Sequence, residues 1–315
     1  MTKKTFVLML SLTLIASQAQ AFWVWTPETR RWINPKYAVK ETPQKQLEYA
    51  LEIAQSGEYK EAESEMQKLI KHYPKAREAA DAQFYIGEFQ EKQGEYYKAF
   101  KSYQEVITKY PFAERTAEVV KRQYDIGSLL LDGKGKKEEG FLAKMSSARN
   151  KVEEIFNQVI KNAPYGEYAA QAQYKIGLFL KGETLLQEAR DAFEKTVNDY
   201  PESEWAKAAR YQIALADAQR SAAAGYDQKI TESAITGFKD FLKDYPDAEL
   251  SVEAKGHISE LRIKEAENDF IIAEFYEKQG AYPAAKLYYT NIVEEYKDTI
   301  WAKKALEKIQ NLGKK

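Results

Sequence analysis

Cysteine is missing altogether from the 315 residues, which removes disulfides, thiolate metal sites, cysteine nucleophiles and any thioether-linked lipid carried within them. Glycine and proline are scarce, 15 and 9 residues, against a turn-rich sandwich, a collagen or a disordered linker protein. Histidine occurs twice, at His72 and His257, and neither begins a metal or catalytic spacing, so both read as surface residues. Net charge is nearly absent as well: 47 basic residues face 48 acidic ones. No global field draws the chain to phosphates, and no nucleic-acid partner is expected. Length alone would suggest about two globular domains, unless the chain is an array.

One long apolar run exists, and it reads as an address. Lys3 and Lys4 precede the run from Phe6 to Ile15, which is followed by Ser17-Gln18-Ala19-Gln20-Ala21 with alanine at the two positions that signal cleavage requires. The run is shorter than the roughly 20 residues of a spanning helix. Residues 1–21 are therefore a predicted signal peptide. The mature chain is expected to begin at Phe22 with 294 residues and a formal charge of −3, Lys3 and Lys4 being lost, as an exported soluble protein.

What fills the rest is repetition. Residues 57–74, GEYKEAESEMQKLIKHYP, and 94–111, GEYYKAFKSYQEVITKYP, align at an offset of 37. Glycine, then tyrosine two later, then alanine, an aliphatic pair and Tyr-Pro recur in both. Tyr-Pro returns at Tyr200-Pro201 and Tyr245-Pro246, with weaker forms at Ala163-Pro164 and Tyr296-Lys297, which makes six units. Prolines 74 and 111 are 37 apart, as are 164 and 201. The intervals of 53 and 45 between the others leave insertions of 16 and 8 residues, near 132–148 and 218–230.

Each unit reads as two helices. In the second, Ala80, Phe84, Ile86-Gly87 and Phe89-Gln90 form one apolar stripe, Gly94 breaks the helix, and Tyr96, Ala99, Phe100, Tyr103, Val106 and Ile107 form the next. Gly94 supplies a left-handed residue at the helix end, Ala99 permits close approach, and Pro111 stops the second helix. One pair cannot bury both faces, so neighbours must stack into a curved solenoid with first helices lining the concave side.

These residues resemble the tetratricopeptide repeat family, and the predicted fold is all-α, a superhelix of about six helix pairs over residues 43–313. Residues 80–111 follow the family pattern at Gly87, Gly94, Tyr96, Ala99, Tyr103 and Pro111, and residues 266–297 at Ala273, Gly280, Tyr282, Ala285 and Tyr289. Unit four matches with Ala189 after a turn shifted to Gly182. Units three and five match at their ends (Tyr124, Gly127, Phe156, Pro164; Tyr211, Ala214, Ala234, Phe238, Pro246). The resemblance implies groove-lining positions at Asp81, Phe84, Glu88, Glu91 and Lys92, suited to an extended or helical peptide.

A narrower resemblance comes from the Tyr-Pro to Trp-Ala or Ala-Ala spacing (Tyr200-Pro201 to Trp205-Ala206; Tyr73-Pro74 to Ala79-Ala80) and from the segment 266–306. Both are similar to the BamD family, the repeat component of the machinery that folds β-barrels into the outer membrane. It implies a periplasmic scaffold, no enzyme, associated with the outer membrane through a BamA-like partner and binding unfolded β-barrel clients. Those proteins are typically lipoproteins, whereas Phe22 stands where their cysteine would be. A chain of this family must then reach the membrane by contacts alone or anchor differently. The alternative in the same compartment is the CpoB type, which links cell-wall synthesis to the Tol system, or an adaptor subunit of another envelope complex. CpoB-type proteins usually carry a coiled coil ahead of about three repeats, and no sustained heptad precedes residue 43.

Chemistry-bearing motifs are otherwise weak. Glu61 and Glu65 pair at i,i+4 as charged helix faces do by chance, and Gly133-Lys134-Gly135-Lys136 lacks phosphate-loop spacing, reading instead as a solvated loop or a contact for an acidic partner or anionic lipid. No cofactor or metal is expected. Most of the 22 tyrosines and 14 phenylalanines fall at packing positions. The exception is the segment 22–42, where Phe22, Trp23, Trp25 and Trp32 crowd ahead of the repeats. Three readings stay open for it: a cap on the first repeat, a docking site for a partner, and a membrane-interface contact in place of a lipid.

Overall fold

A computed structural model describes residues 23–26, 31–34, 38–133, 144–223 and 227–313. The predicted signal peptide, Phe22 and the loop from Lys134 to Lys136 lie outside the described residues. Among those described are thirteen helices and one two-stranded ribbon, and the chain divides into two compact units, Met1–Ala82 and Gln83–Lys315.

The first unit opens with β1 (Val24–Thr26) and β2 (Arg31–Ile33), antiparallel with Trp25 opposite Trp32. Helix α1 (Pro43–Gln55) starts where Thr42 caps it, its hydroxyl accepting the Lys45 N–H at 3.2 Å, with Pro43 in the first helical turn. Helix α2 (Tyr59–His72) packs back on α1. Between them Gln46, fully buried, donates to the Glu65 carbonyl at 3.1 Å and to its carboxylate at 2.8 Å. The same Gln46 accepts the Lys40 N–H at 2.9 Å, while the Tyr73 hydroxyl donates to the Lys40 carbonyl at 2.7 Å. Lys40 is thus held at both of its backbone polar groups just ahead of α1.

Helix α3 (Arg77–Lys92) carries the boundary between units. The second unit continues through α4 (Tyr96–Lys109), α5 (Thr116–Leu131), α6 (Lys144–Asn162), α7 (Ala169–Gly182), α8 (Leu186–Asp199), α9 (Glu204–Ala223), α10 (Gln228–Asp244), α11 (Ser251–Lys278), α12 (Tyr282–Glu295) and α13 (Ile300–Leu312). From α4 onward each helix packs on the next, and α5 also touches α7, α7 touches α9, and α11 touches α13. Within the second unit each helix pair therefore closes its apolar face on the helices that follow it.

The core repeats as the sequence does. In the five units of the second body a ring on the first helix meets a ring on the second: Phe84 and Tyr103 at 5.3 Å, Tyr124 and Phe156 at 6.0 Å, Tyr174 and Phe193 at 5.4 Å, Tyr211 and Phe238 at 5.6 Å, Phe270 and Tyr289 at 5.3 Å. Edge and offset contacts of this kind add about 0.5–1.5 kcal/mol each beyond area burial. A third group from the start of the next helix often completes the stack: the Arg115 guanidinium on Phe84, Tyr168 on Tyr124, Trp205 on Tyr174 and Trp301 on Phe270. Trp301 belongs to α13, which covers the α11–α12 pair as the next first helix does elsewhere.

Small residues permit the close approach. A Cβ on Gly87, Gly127 or Gly177 would meet the partner ring at 2.7, 2.9 or 2.4 Å. Where the second-helix ring is tyrosine, a glutamate four residues after the small position accepts its hydroxyl: Tyr103 to Glu91 at 2.5 Å and Tyr289 to Glu277 at 3.0 Å. Where the ring is phenylalanine, Leu131, Lys181 and Ala218 occupy that place instead. A buried hydroxyl without a partner is costly, and each unit avoids it in step with its own ring.

One expectation changes. In unit four the residue in the left-handed region is Thr184 at φ 62°, in register with Gly94 and Gly280 at 80° and 75°, so the turn is not shifted to Gly182. The offset of 51 between Pro246 and Lys297 exceeds the repeat, and α11 takes up the excess as one 28-residue helix. Its first half buries Ala254 and Leu261 against α10, and its second half buries Ala266, Phe270 and Ala273 with α12 and α13.

Candidate functional site

The five positions expected to line a groove all lie on α3, Asp81 in the first unit and the others in the second. Phe84 is a correction. It is only 1% exposed, held between Tyr103 and the Arg115 guanidinium at 4.7 Å, and has no surface to offer a partner. Glu91 is engaged as well: it accepts the Tyr103 hydroxyl and lies 3.5 Å from Arg122. Burial pushes its carboxyl above the ordinary value, with the Tyr103 hydrogen bond and Arg122 pulling it back. Within the second unit the row that remains accessible is Tyr85, Glu88 and Lys92, spaced as one helical face. Tyr85, adjacent to the expected Phe84, carries the aromatic surface of that row and is stacked on Phe89 at 6.1 Å.

Carried 186 residues onward, the same row falls at Ile271 and Glu274 on α11, and here it borders a cleft of about 440 Å³ against α13. Phe270, Ile271 and Trp301 supply its apolar surface, and Glu274, Lys304, Glu307 and Lys308 its charged rim. Ile271 stands 58% exposed. Lys304 lies 4.0 Å from the Trp301 ring centroid, a cation–π contact that holds the indole from its outer side. Lys308 bridges Glu277 at 3.0 Å and Glu274 at 3.2 Å. Burial acts to lower the Lys308 pKa, but the hydrogen bonds to Glu277 and Glu274 outweigh it and hold it above the ordinary lysine value. Tyr289, buried and bonded to the same Glu277, is pushed up to about 12. Lys308 is thereby held in its charged form at the edge of the exposed apolar surface. Such a cleft takes an apolar side chain, worth about 1.5–3 kcal/mol when buried, from a segment whose polar groups meet charges of both signs.

Phe270, Ile271, Glu274, Trp301 and Lys308 were within reach of the sequence. Residues 266–297 align with 80–111, so Ile271 sits where Tyr85 does, and Trp301-Ala302 repeats the Trp205-Ala206 pattern. The groove was simply expected on the earlier unit.

The N-terminal aromatics are not covered. Trp23, Trp25 and Trp32 are 56%, 46% and 62% exposed, so each keeps indole surface open to a contact. His257 stacks on Phe238 at 5.2 Å, and His72 ends α2 on the surface. Among the described residues no group of three or more acidic, histidine or cysteine side chains is placed to hold a metal.

Stacked helix pairs with ring-on-ring cores, small residues at the crossing and a turn after each Tyr-Pro define a tetratricopeptide repeat α-solenoid, a class that works as a protein-binding scaffold. The sequence profile of a tetratricopeptide repeat matches residues 81–113. The profile of the family described as YfiO, outer membrane lipoprotein, matches residues 138–315, more than half of the chain, and the chain belongs to that family. No curated protein matches it. Similar solved structures include a tetratricopeptide repeat protein from Parabacteroides merdae (13% identity, 88% of this chain and 100% of that one, TM-score 0.37). Others are the C-terminal part of a repeat protein from Cytophaga hutchinsonii (15%, 82% and 84%, 0.38) and a thermophilic repeat protein from Thermus thermophilus (13%, 69% and 99%, 0.35). At such scores the assignment rests on the profile and the repeat geometry.

Proposed function

We propose that the chain is a BamD-like scaffold of the periplasm, exported by cleavage after Ala21, that assists assembly of β-barrel proteins into the outer membrane. The array over 43–313 acts passively. The α11–α13 cleft receives the periplasmic part of a BamA-like membrane protein, and the accessible row on α3 holds an unfolded barrel client. The observation that carries this reading is the cleft itself: an exposed Ile271 beside Trp301, rimmed by charges, within the segment that matches the outer-membrane family. Apolar anchors surrounded by charges are where interface energy concentrates, with the charges selecting the partner.

Ile271→Asp tests it, because the side chain is exposed and its replacement leaves the Phe270–Tyr289 core in place. Purification in mild detergent should recover the wild-type chain with a barrel-assembly membrane protein, and the variant should lose about tenfold of that recovery, the equivalent of about 1.4 kcal/mol. Recovery with Tol or cell-wall synthesis proteins and no barrel-assembly protein would sink the proposal in favour of the CpoB-like role.

A further inference from the structure

The ribbon ahead of α1 is the least explained surface of the molecule. Trp25 and Trp32 are directly opposite in its register, so both indoles stand on one face, edge to face at 5.8 Å. Trp23, two residues before Trp25 and also exposed, adds a third indole ahead of the ribbon. A two-stranded ribbon is marginal in water by itself, and exposing three indoles on one is unfavourable unless something covers them.

Charge says what does. Residues 22–40 contain Arg30, Arg31, Lys36 and Lys40 against Glu28 alone, while residues 41–315 hold 41 basic and 47 acidic residues. A basic, tryptophan-rich segment is thus joined to an acidic body. Indole favours the level of lipid headgroups, where its ring is half apolar and its N–H stays hydrated, and neighbouring cations are drawn to anionic lipid. The 315 residues also offer no cysteine for a thioether lipid, in a family described as lipoproteins. Among the described residues no helix is long and apolar enough to cross a membrane.

We propose that this ribbon is an interfacial membrane contact: Trp23, Trp25 and Trp32 seat at the headgroup level of an anionic bilayer, and the net positive charge of residues 22–40 selects that charge. The attachment passes to the helices through Lys40, whose N–H and carbonyl are bound by Gln46 and Tyr73. The inference is independent of which protein fills the cleft.

The test uses the full chain with Trp205→Phe and Trp301→Phe, so that only the ribbon indoles emit. Vesicles of phosphatidylethanolamine and phosphatidylglycerol, with acyl chains brominated near the headgroup, should shift that emission to the blue and quench it. Trp25→Ser with Trp32→Ser should weaken co-sedimentation about tenfold, purely zwitterionic vesicles should do the same, and Trp25→Phe with Trp32→Phe should retain most of it. The apolar run at 6–15 is present in every variant, so the difference between them belongs to the ribbon. Unchanged sedimentation of the serine variant would overturn the proposal. So would quenching that occurs only in vesicles carrying a membrane protein, which would make the ribbon a protein-docking site.

Discussion

Thr184 is the one non-glycine residue among those described whose φ is positive, and it occupies the place that Gly94 and Gly280 hold in their units. A residue with a Cβ loses roughly 1–2 kcal/mol in that conformation, because Cβ crowds the carbonyl that follows. Glycine avoids this but sacrifices about 0.5–1 kcal/mol of backbone entropy. Thr184→Gly should therefore stabilise the chain by about 0.5–1 kcal/mol. The side chain is exposed, and its hydroxyl donates to the neighbouring Glu183 carbonyl at the surface, so little packing is lost. The melting midpoint should rise by about 1–4 °C. Because an array opens locally, hydrogen exchange gives the sharper assay. The Thr184 and Leu185 amides, bonded to the Lys181 and Leu180 carbonyls at 3.0 Å, should exchange about threefold more slowly in Thr184→Gly. Thr184→Ala keeps the Cβ and should gain nothing, while Gly94→Ala should lose about 1–2 kcal/mol. If Thr184→Gly is no more stable than Thr184→Ala, the left-handed turn is not what limits this unit.

Gly177→Ala puts a methyl 2.4 Å from the fully buried Phe193 ring, so calorimetry should show a loss of about 1–3 kcal/mol despite alanine's better helix propensity. Asp217 is buried and accepts from Arg190 at 3.2 Å, Arg220 at 2.8 Å and Ser233 at 2.8 Å. Asp217→Ala should cost about 2–3 kcal/mol in urea unfolding, less than for a wholly buried pair because both guanidinium groups are partly exposed. Burial and a carboxylate acceptor push Tyr211 and Tyr289 up to about 12, so the folded chain keeps protons that the unfolded chain releases from about pH 10. Their contribution is complete below about pH 10 and is lost as pH rises from about 10 to 12, and Tyr289→Phe should flatten that fall in a pH series of melts.

The repeats were legible because their punctuation is local. After Tyr73, Tyr110, Ala163, Tyr200, Tyr245 and Tyr296 the carbonyl accepts from the N–H three residues on, in all six units. Position 297 does this without proline, so the turn belongs to the helix end and proline only secures it. Less legible was a buried glutamine just before the core residue of several first helices. Gln46, Gln83 and Gln173 each donate to a carbonyl on the second helix 19 residues later, at 3.1, 3.1 and 3.2 Å, and Gln123 joins Gln104 and Asn162 in an amide cluster. The residue type is polar and its neighbours alternate, so pattern alone assigned it no partner. The long α11 runs straight through its one glycine, Gly256, which stays helical, whereas a repeat count relies on glycine as a break.

Six units, their turns, their small crossing residues and their ring positions were determined by the sequence, since each depends on a few consecutive side chains and the backbone they restrict. Tertiary structure decided matters of one residue. Successive helical positions differ by about 100°, so Phe84 in the core and Tyr85 on the surface share one apolar stripe, and only the packed neighbour separates them. It also decided that Thr184 rather than Gly182 turns left-handed, because the register of α7 against α8 is fixed by Gly177 meeting Phe193. The exposure of Trp23, Trp25 and Trp32 belongs to the same kind of decision. Whether an aromatic cluster is core or contact depends on what the rest of the chain brings over it.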